Sequence, residues 1–297
     1  MSHARDVVLL AAALAALPIS APAGAENIIH NEKSLYRNII VFEDDGMRCM
    51  KFSRAPTAGR QSCQLRRNPD HLVFDYTRMM MGALYLDPEP RRVLVLGLGG
   101  GTLPTALAAL PSVTAIDVVE IDPAVIRVAQ RYFGFKPGPR LKVHEEDGRV
   151  FVKRALREGR RYDLVVLDAF DHEYIPEHLL TREFLGEVKG LLPEGGVLAA
   201  NTFSNSRLYD HESVTYQAVF GDFYNLRAAN RVILTRVGGL PTRDVLERNA
   251  AMVNARLSGI GVDTAWLISL FSTERTWRAD ARVLTDQYSP SNLLNVQ

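Results

Sequence analysis

The run Val93–Gly101, VLVLGLGGG, constrains this chain more than any other segment. It reads as a buried strand passing directly into a glycine-rich turn that opens a helix. Ligands in such sheets bind beyond the carboxyl ends of the strands. Glycines at that place let the backbone approach a ligand closely, and the helix start supplies free N–H donors. The dinucleotide fingerprint would need a third glycine where Thr102 stands. A plain tight turn is the alternative, but its setting after an apolar strand favours a ligand.

The residues after this run alternate between strand and helix. Strands are predicted at Arg92–Leu96, Val113–Glu120, Leu141–Glu145, Tyr162–Leu167 and Gly196–Thr202, and helices at Thr102–Leu110, Pro123–Phe133, Gly148–Glu158 and Pro176–Leu191. The strands are continuously apolar, as expected where helices cover both faces of a mostly parallel sheet. The segments 209–221, 231–236, 243–258 and 265–272 complete the same domain. Before it, one helix is predicted over His71–Leu86, with Met79–Met81 as core filling.

From Glu32 to Asp70 the pattern is short and strand-like. RNIIVFED, MRCMKF and RQSCQL are separated by Asp44-Asp45-Gly46 and Pro56–Gly59, which predicts a small antiparallel sheet. The fold class is therefore α/β, with a small antiparallel β domain at 26–70 and a Rossmann-like nucleoside-binding domain at 71–297. Cys49 and Cys63 lie on flanks that would pair as a hairpin. They could face each other and form a disulfide, or remain two buried thiols.

Residues 1–25 read as a signal peptide. Arg5 precedes the apolar run Val7–Leu17, and Ala23-Gly24-Ala25 has the small-x-small form of a cleavage site. An export signal places the protein in the periplasm or outside the cell and favours the disulfide. An N-terminal helix lying on the domain is the alternative. The run is short of the ~20 residues of a membrane span, so no stable span is expected. Formal charge is +1, with local pairs at Arg66-Arg67, Arg91-Arg92 and Arg160-Arg161. Scattered charge of this kind argues against a nucleic-acid surface.

Candidate site residues fall at strand ends. Glu120 ends the second strand, where a carboxylate can accept both hydroxyl protons of a ribose. Asp122 fits the N-cap of the next helix, with Pro123 at its first position. Asp147 can accept from the amino group of an adenine, cap the following helix, or do both through different atoms. Asp168 closes YDLVVLD at the sheet rim, and the loop beyond it, AFDHEYIPEH, carries Asp171, Glu173 and Glu177. That acidity suits a cationic ligand, while a solvated acidic loop is the alternative. His172 and His178 match no standard ligand spacing, and no metal is expected.

The chain resembles the spermidine synthase family of polyamine aminopropyltransferases, in its divergent bacterial branch. The resemblance runs through YRNIIV, HLVFDYTRMM, LGLGGGTLP, VVEIDP, EDGRVF, YDLVVLDAFD, IPEHLLTREF and LTDQYSPSN. It implies an S-adenosylmethionine-type sheet and transfer of an aminopropyl group from decarboxylated S-adenosylmethionine to a diamine such as putrescine, with release of methylthioadenosine. The donor is a co-substrate, and no permanently bound cofactor is implied. By resemblance, Gly97, Gly99 and Gly101 line the donor, Glu120 holds the ribose and Asp147 the adenine. Asp168 orients and helps deprotonate the amine, with Asp171 as a second carboxylate. Tyr76, Glu173 and Tyr224 stand near the amine. Family members are commonly oligomeric, which implies a homodimer.

Two positions depart from the family pattern. The aspartate of the family's GGGDGG loop is Gly100 here, and the glutamine or histidine after the matched tyrosine is Thr77. Gly100 leaves room for the carboxylate of intact S-adenosylmethionine, so a methyltransferase stays open. An exported polyamine- or nucleoside-binding protein without turnover is a third reading.

Overall fold

A computed structural model describes residues 26–55, 58–169, 176–202 and 207–294. The chain starts with an antiparallel sheet in sequential order: β1 (Asn27–Lys33), β2 (Asn38–Asp44), β3 (Met47–Lys51) and β4 (Arg60–Leu65). Asp44 pairs with Met47, leaving Asp45 and Gly46 as a two-residue turn with positive φ at both positions. A tight hairpin whose twist matches its strands requires that geometry, which Asp-Gly adopts readily. Ile39 to Phe42 of β2 are all buried, so this sheet packs on the rest of the molecule.

The predicted single helix over His71–Leu86 is instead two short ones, α1 (Asp75–Met80) and α2 (Ala83–Leu86), broken at Gly82. A side chain at Gly82 would stand 3.1 Å from both Leu234 and Phe271. Its Cβ would also stand 2.8 Å from the Met79 carbonyl, so only glycine fits here, and the chain passes between the two helices through i→i+3 hydrogen bonds such as Gly82 N–H to the Met79 carbonyl. The main sheet follows, built from β5 (Arg92–Leu96), β6 (Ala115–Glu120), β7 (Leu141–Glu145), β8 (Leu164–Leu167), β9 (Val197–Thr202), β10 (Tyr224–Arg227) and β11 (Arg231–Arg236). Its order is β10-β11-β9-β8-β5-β6-β7, parallel from β9 to β7, with β11 antiparallel to both neighbours.

Successive β5 residues serve opposite layers. Val93 and Val95 join the core under α3 (Thr102–Ala108), α4 (Pro123–Tyr132) and α8 (Arg243–Gly259). Leu94 and Leu96 join the core under α5 (Gly148–Arg157), α6 (Arg182–Leu191) and α7 (Leu208–Phe220). The two-residue period of a strand covered on both faces accounts for the unbroken apolar run. The predicted helix at Pro176–Leu191 begins later: Glu177–Leu179 forms one tight turn, and Thr181 caps α6 through the amide of Phe184. Two short helices, α9 (Thr264–Ser269) and α10 (Ser291–Leu294), complete the chain. No helix among the described residues is long and apolar enough to cross a membrane.

Candidate active site

The strand order reverses between β5 and β8, and the glycine loop leaves the sheet at that switch point. Gly97 has φ +100°, and a Cβ there would lie 2.1 Å from the backbone oxygen of Asp168. Only glycine lets the two strand ends approach so closely. Loop and acid are thereby locked side by side at the place where open α/β sheets bind ligands.

Asp168 stands just beyond β8. The amide of Asn201, on β9, donates to its Oδ1 at 3.0 Å, and the hydroxyl of Tyr76, on α1, also donates to it. Desolvation pushes the Asp168 carboxyl up to about 7, against the lowering effect of both donors. Burial, and then the neighbouring carboxylate, hold the Tyr76 phenol well above its ordinary value. Tyr76 therefore stays a donor. The Oδ1 of Asn201 is buried with no hydrogen-bond partner among the described residues, leaving an acceptor beside the acid for an incoming N–H.

On the other side of the loop, Glu120 accepts the amides of Leu98 (3.1 Å) and Asp122 (3.0 Å), one on each oxygen. Burial raises its pKa, while those amides and the positive charge of Arg37 lower it. Each oxygen keeps a second lone pair, so the residue fits a ribose diol. Asp122 caps α4 through the amide of Ala124 and accepts the hydroxyl of Ser34 at 2.5 Å, tying the N-terminal sheet to this strand end.

Asp147 caps α5 with Oδ1, accepting from Arg149 and Val150, while its Oδ2 meets His178 Nε2 at 2.8 Å. That contact, foremost among its surroundings, holds the Asp147 carboxyl below its ordinary value. Arg149, in turn, forks onto Asp286 and Glu187. The C-terminal LTDQYSPSN block thus anchors the helix that carries Asp147.

Gly99 and Gly101 both take positive φ, and a Cβ on Gly101 would strike Phe135 at 2.5 Å. The amide of Gly100 donates to Ser62 Oγ at 2.8 Å, from β4 of the small sheet. A Cβ on Gly100 would stand 3.1 Å from that of Ser62 and 3.0 Å from Phe133, so a side chain such as the loop acid of the family pattern would press on both and require them to shift by a few tenths of an ångström. Thr77 is buried with its hydroxyl turned back on the Phe74 carbonyl.

Gly97, Gly99, Gly101, Glu120, Tyr76 and Asp168 therefore meet around one rim, with Asp147 at the end of the adjoining strand. Asp171 and Glu173 lie outside the described residues. Tyr224 is a correction. It sits on β10, three strands from β8, and the register places it two residues below the level of Asp168. Its hydroxyl donates to the Pro241 carbonyl at 2.7 Å and its ring packs edge-on against Phe271. It is a core residue, buried against Phe271 and tied to the segment at Pro241.

Sequence reasoning missed Asn201, Ser62 and Arg37. Asn201 ends the apolar run GVLAAN and satisfies the same strand-end criterion that found Asp168. Ser62 and Arg37 carried no such signal, since both act from the small sheet across to the large one. Cys49 and Cys63 are directly opposed on β3 and β4, with sulfurs 2.01 Å apart.

Residues 73–235 match the family model described as the spermine/spermidine synthase domain. The chain is 46% identical to a polyamine aminopropyltransferase of Vibrio vulnificus, over 97% of this chain and 98% of that one. It is 30% identical to an eEF1A lysine and N-terminal methyltransferase of Bos taurus, over 67% of this chain but 32% of that protein. Among solved structures, human methyltransferase-like protein 13 in complex with SAH matches with TM-score 0.56 and 27% identity, covering 74% of this chain and all of that one. A spermidine synthase in complex with the transition-state analogue AdoDATO matches in fold, with TM-score 0.59 and 19% identity over 80% and 89% of the two chains.

Proposed function

Because the chain belongs to the spermine/spermidine synthase family, we propose that it is a polyamine aminopropyltransferase, moving the aminopropyl group of decarboxylated S-adenosylmethionine onto a diamine such as putrescine. The observation that carries this reading is Asp168, a desolvated carboxyl held by Tyr76 and Asn201 against the glycine loop.

The donor needs a bed for its nucleoside, and Glu120, Asp147 and the loop supply it. Glu120 receives the ribose hydroxyls. For Asp147 to receive an adenine amino group, the nucleoside must share or displace the contact with His178. The amine arrives as an ammonium, whose charge favours the ionised form of Asp168. Asp168 accepts the proton, and the freed lone pair attacks the methylene beside the sulfonium. The C–S bond breaks and neutral methylthioadenosine leaves. Positioning and one proton acceptor suffice for such a displacement. Asn201 Oδ1 offers a second acceptor to the amine.

A methyltransferase is the second reading, favoured by one feature: no acid stands at position 100, so the loop does not repel a donor that keeps its carboxylate. Purified protein given each donor with putrescine separates the possibilities. Methylthioadenosine with spermidine is the expected product pair. S-adenosylhomocysteine would mark a methyltransferase, and binding without either product would mark a non-catalytic carrier.

Two finer properties belong to the same proposal. The protein is exported through residues 1–25, which the paired Cys49 and Cys63 support because such bonds persist in oxidising compartments. Cell fractionation with N-terminal sequencing tests this. It also acts as a homodimer. The exposed apolar side chains Leu35 (98%) and Tyr36 (51%) beside β1 support association through the small sheet. Light scattering of the eluted protein gives the mass.

A further inference from the structure

The Arg91-Arg92 and Arg160-Arg161 pairs play no part in the transfer site. Arg92 opens β5, and Arg160 follows α5. Parallel pairing sets Arg92 beside Ala115 and Asp117 beside Lys142. These residues meet at the amino-terminal edge of the sheet, at the opposite ends of the strands from the glycine loop. There they line a cavity of about 240 Å³ together with Arg140 and His144.

Charge in this cavity is one-sided. Asp117 is the only carboxylate in its lining, and both its oxygens are occupied. Oδ1 meets His144 Nε2 at 2.7 Å, while Oδ2 accepts the Tyr162 hydroxyl at 2.8 Å and lies 3.8 Å from Arg160. Glu158 is engaged by Arg160 at 2.7 Å. Asp163 is engaged by the amides of Arg91 and Arg92. Among the described residues, no carboxylate comes within 4.0 Å of the side-chain nitrogens of Arg92, Arg140 or Lys142. Arg140 donates only to the Val113 carbonyl, and Arg92 lies over the Tyr162 ring. Three exposed cations thus converge on a concavity whose acids are already taken.

We propose that this cavity is a second binding site, for a small phosphate-bearing anion, separate from the transfer reaction. Two guanidinium forks match the paired oxygens of a phosphate, and an ammonium adds a point charge. The excess of positive charge favours a multiply charged ligand over a single carboxylate. The volume falls below the ~300 Å³ at which ordinary organic-ligand pockets begin, which points to a diphosphate rather than a whole nucleotide inside it.

Calorimetric titration of the full protein with sodium diphosphate at low salt tests the proposal. We expect saturable binding that weakens as salt rises, is unaffected by methylthioadenosine, and drops about tenfold or more in the double variant R140Q/K142Q, from loss of two charged donors. Both side chains are exposed, so the variant is expected to keep its melting temperature and transfer kinetics. A parallel titration with ADP identifies the source. Binding as tight as diphosphate, and lost in the same variant, would show the terminal phosphates of a nucleotide entering the site; absence of ADP binding would leave free diphosphate as the ligand. Equal affinity in parent and variant, competition by methylthioadenosine, or heats reproduced by matched sodium chloride would each overturn the proposal.

Discussion

The hydroxyl of Ser62 lies 2.8 Å from the amide nitrogen of Gly100 and accepts its hydrogen. The small antiparallel sheet therefore holds the nucleotide loop of the large one in place. The residue that holds the loop stands next to Cys63, and Cys63 is bonded to the neighbouring strand.

Ser62→Ala leaves the Gly100 amide without a buried acceptor. A loss of ~1–3 kcal/mol is usual for such a group, so donor KM is expected to rise about fivefold or more with amine KM little changed. Steady-state kinetics with each substrate varied in turn checks this. Equal changes in both constants would argue against a local hold on the loop.

The Cys49–Cys63 crosslink closes a loop of 14 residues in sequence separation. It packs with Phe42 against Phe74, whose ring stacks on Tyr76 at 5.8 Å between centroids. Replacing both cysteines by serine is expected to lower stability by ~2–3 kcal/mol, as for other loops of this size, and to raise donor KM in the direction of Ser62→Ala. Chemical denaturation and kinetics with and without reductant give both effects, and the double variant should not respond to reductant.

Asp168→Asn is expected to cut turnover ~100-fold or more while nucleoside affinity is kept, because a positioned proton acceptor is lost. Glu120→Gln should weaken the nucleoside first. The pH dependence follows from the raised Asp168 carboxyl. In the parent, kcat/KM should rise with pH through about 7, as the carboxylate becomes available, and the Asn variant should lack that limb. Stability runs the other way. Between the ordinary value of 3.8 and about 7, the folded chain keeps a proton that the unfolded chain has released. Stability from this group therefore falls as pH rises across that window. Melting curves should show Asp168→Asn gaining most over the parent above pH 7 and least near pH 4.

Tyr224→Phe removes a hydrogen bond to Pro241 and nothing from the rim. A loss of ~1 kcal/mol in stability is expected, with kcat and both KM values unchanged. A kinetic effect larger than the stability change would return Tyr224 to the site.

Much of the large sheet was readable because burial on both faces writes itself as unbroken apolar strands. Asp168 was readable as the first polar residue after such a strand, Glu120 as the carboxylate that ends one, and Asp147 as the acid before the glycine that opens a helix. The small sheet was harder to read. Its edge strand β1 (NIIHNEK) carries a mixed polar pattern; on the large sheet the edge strand β10 has only four residues, and Tyr224 was drawn to the site by chemical type when its strand lies elsewhere. The need for glycine at position 82 comes in part from Leu234 and Phe271, more than 150 residues away.

Sequence alone determined the fold class, the glycine loop and the acids at the strand ends, since these follow from hydrophobic period and local turn chemistry. Only the tertiary structure decided how they are held: Tyr76 and Asn201 on Asp168, Ser62 on Gly100, His178 on Asp147. Those contacts join elements far apart in the chain, and local spacing contains no term for them. The same holds for the basic cavity, where residues from three strands and two loops share one corner of the sheet.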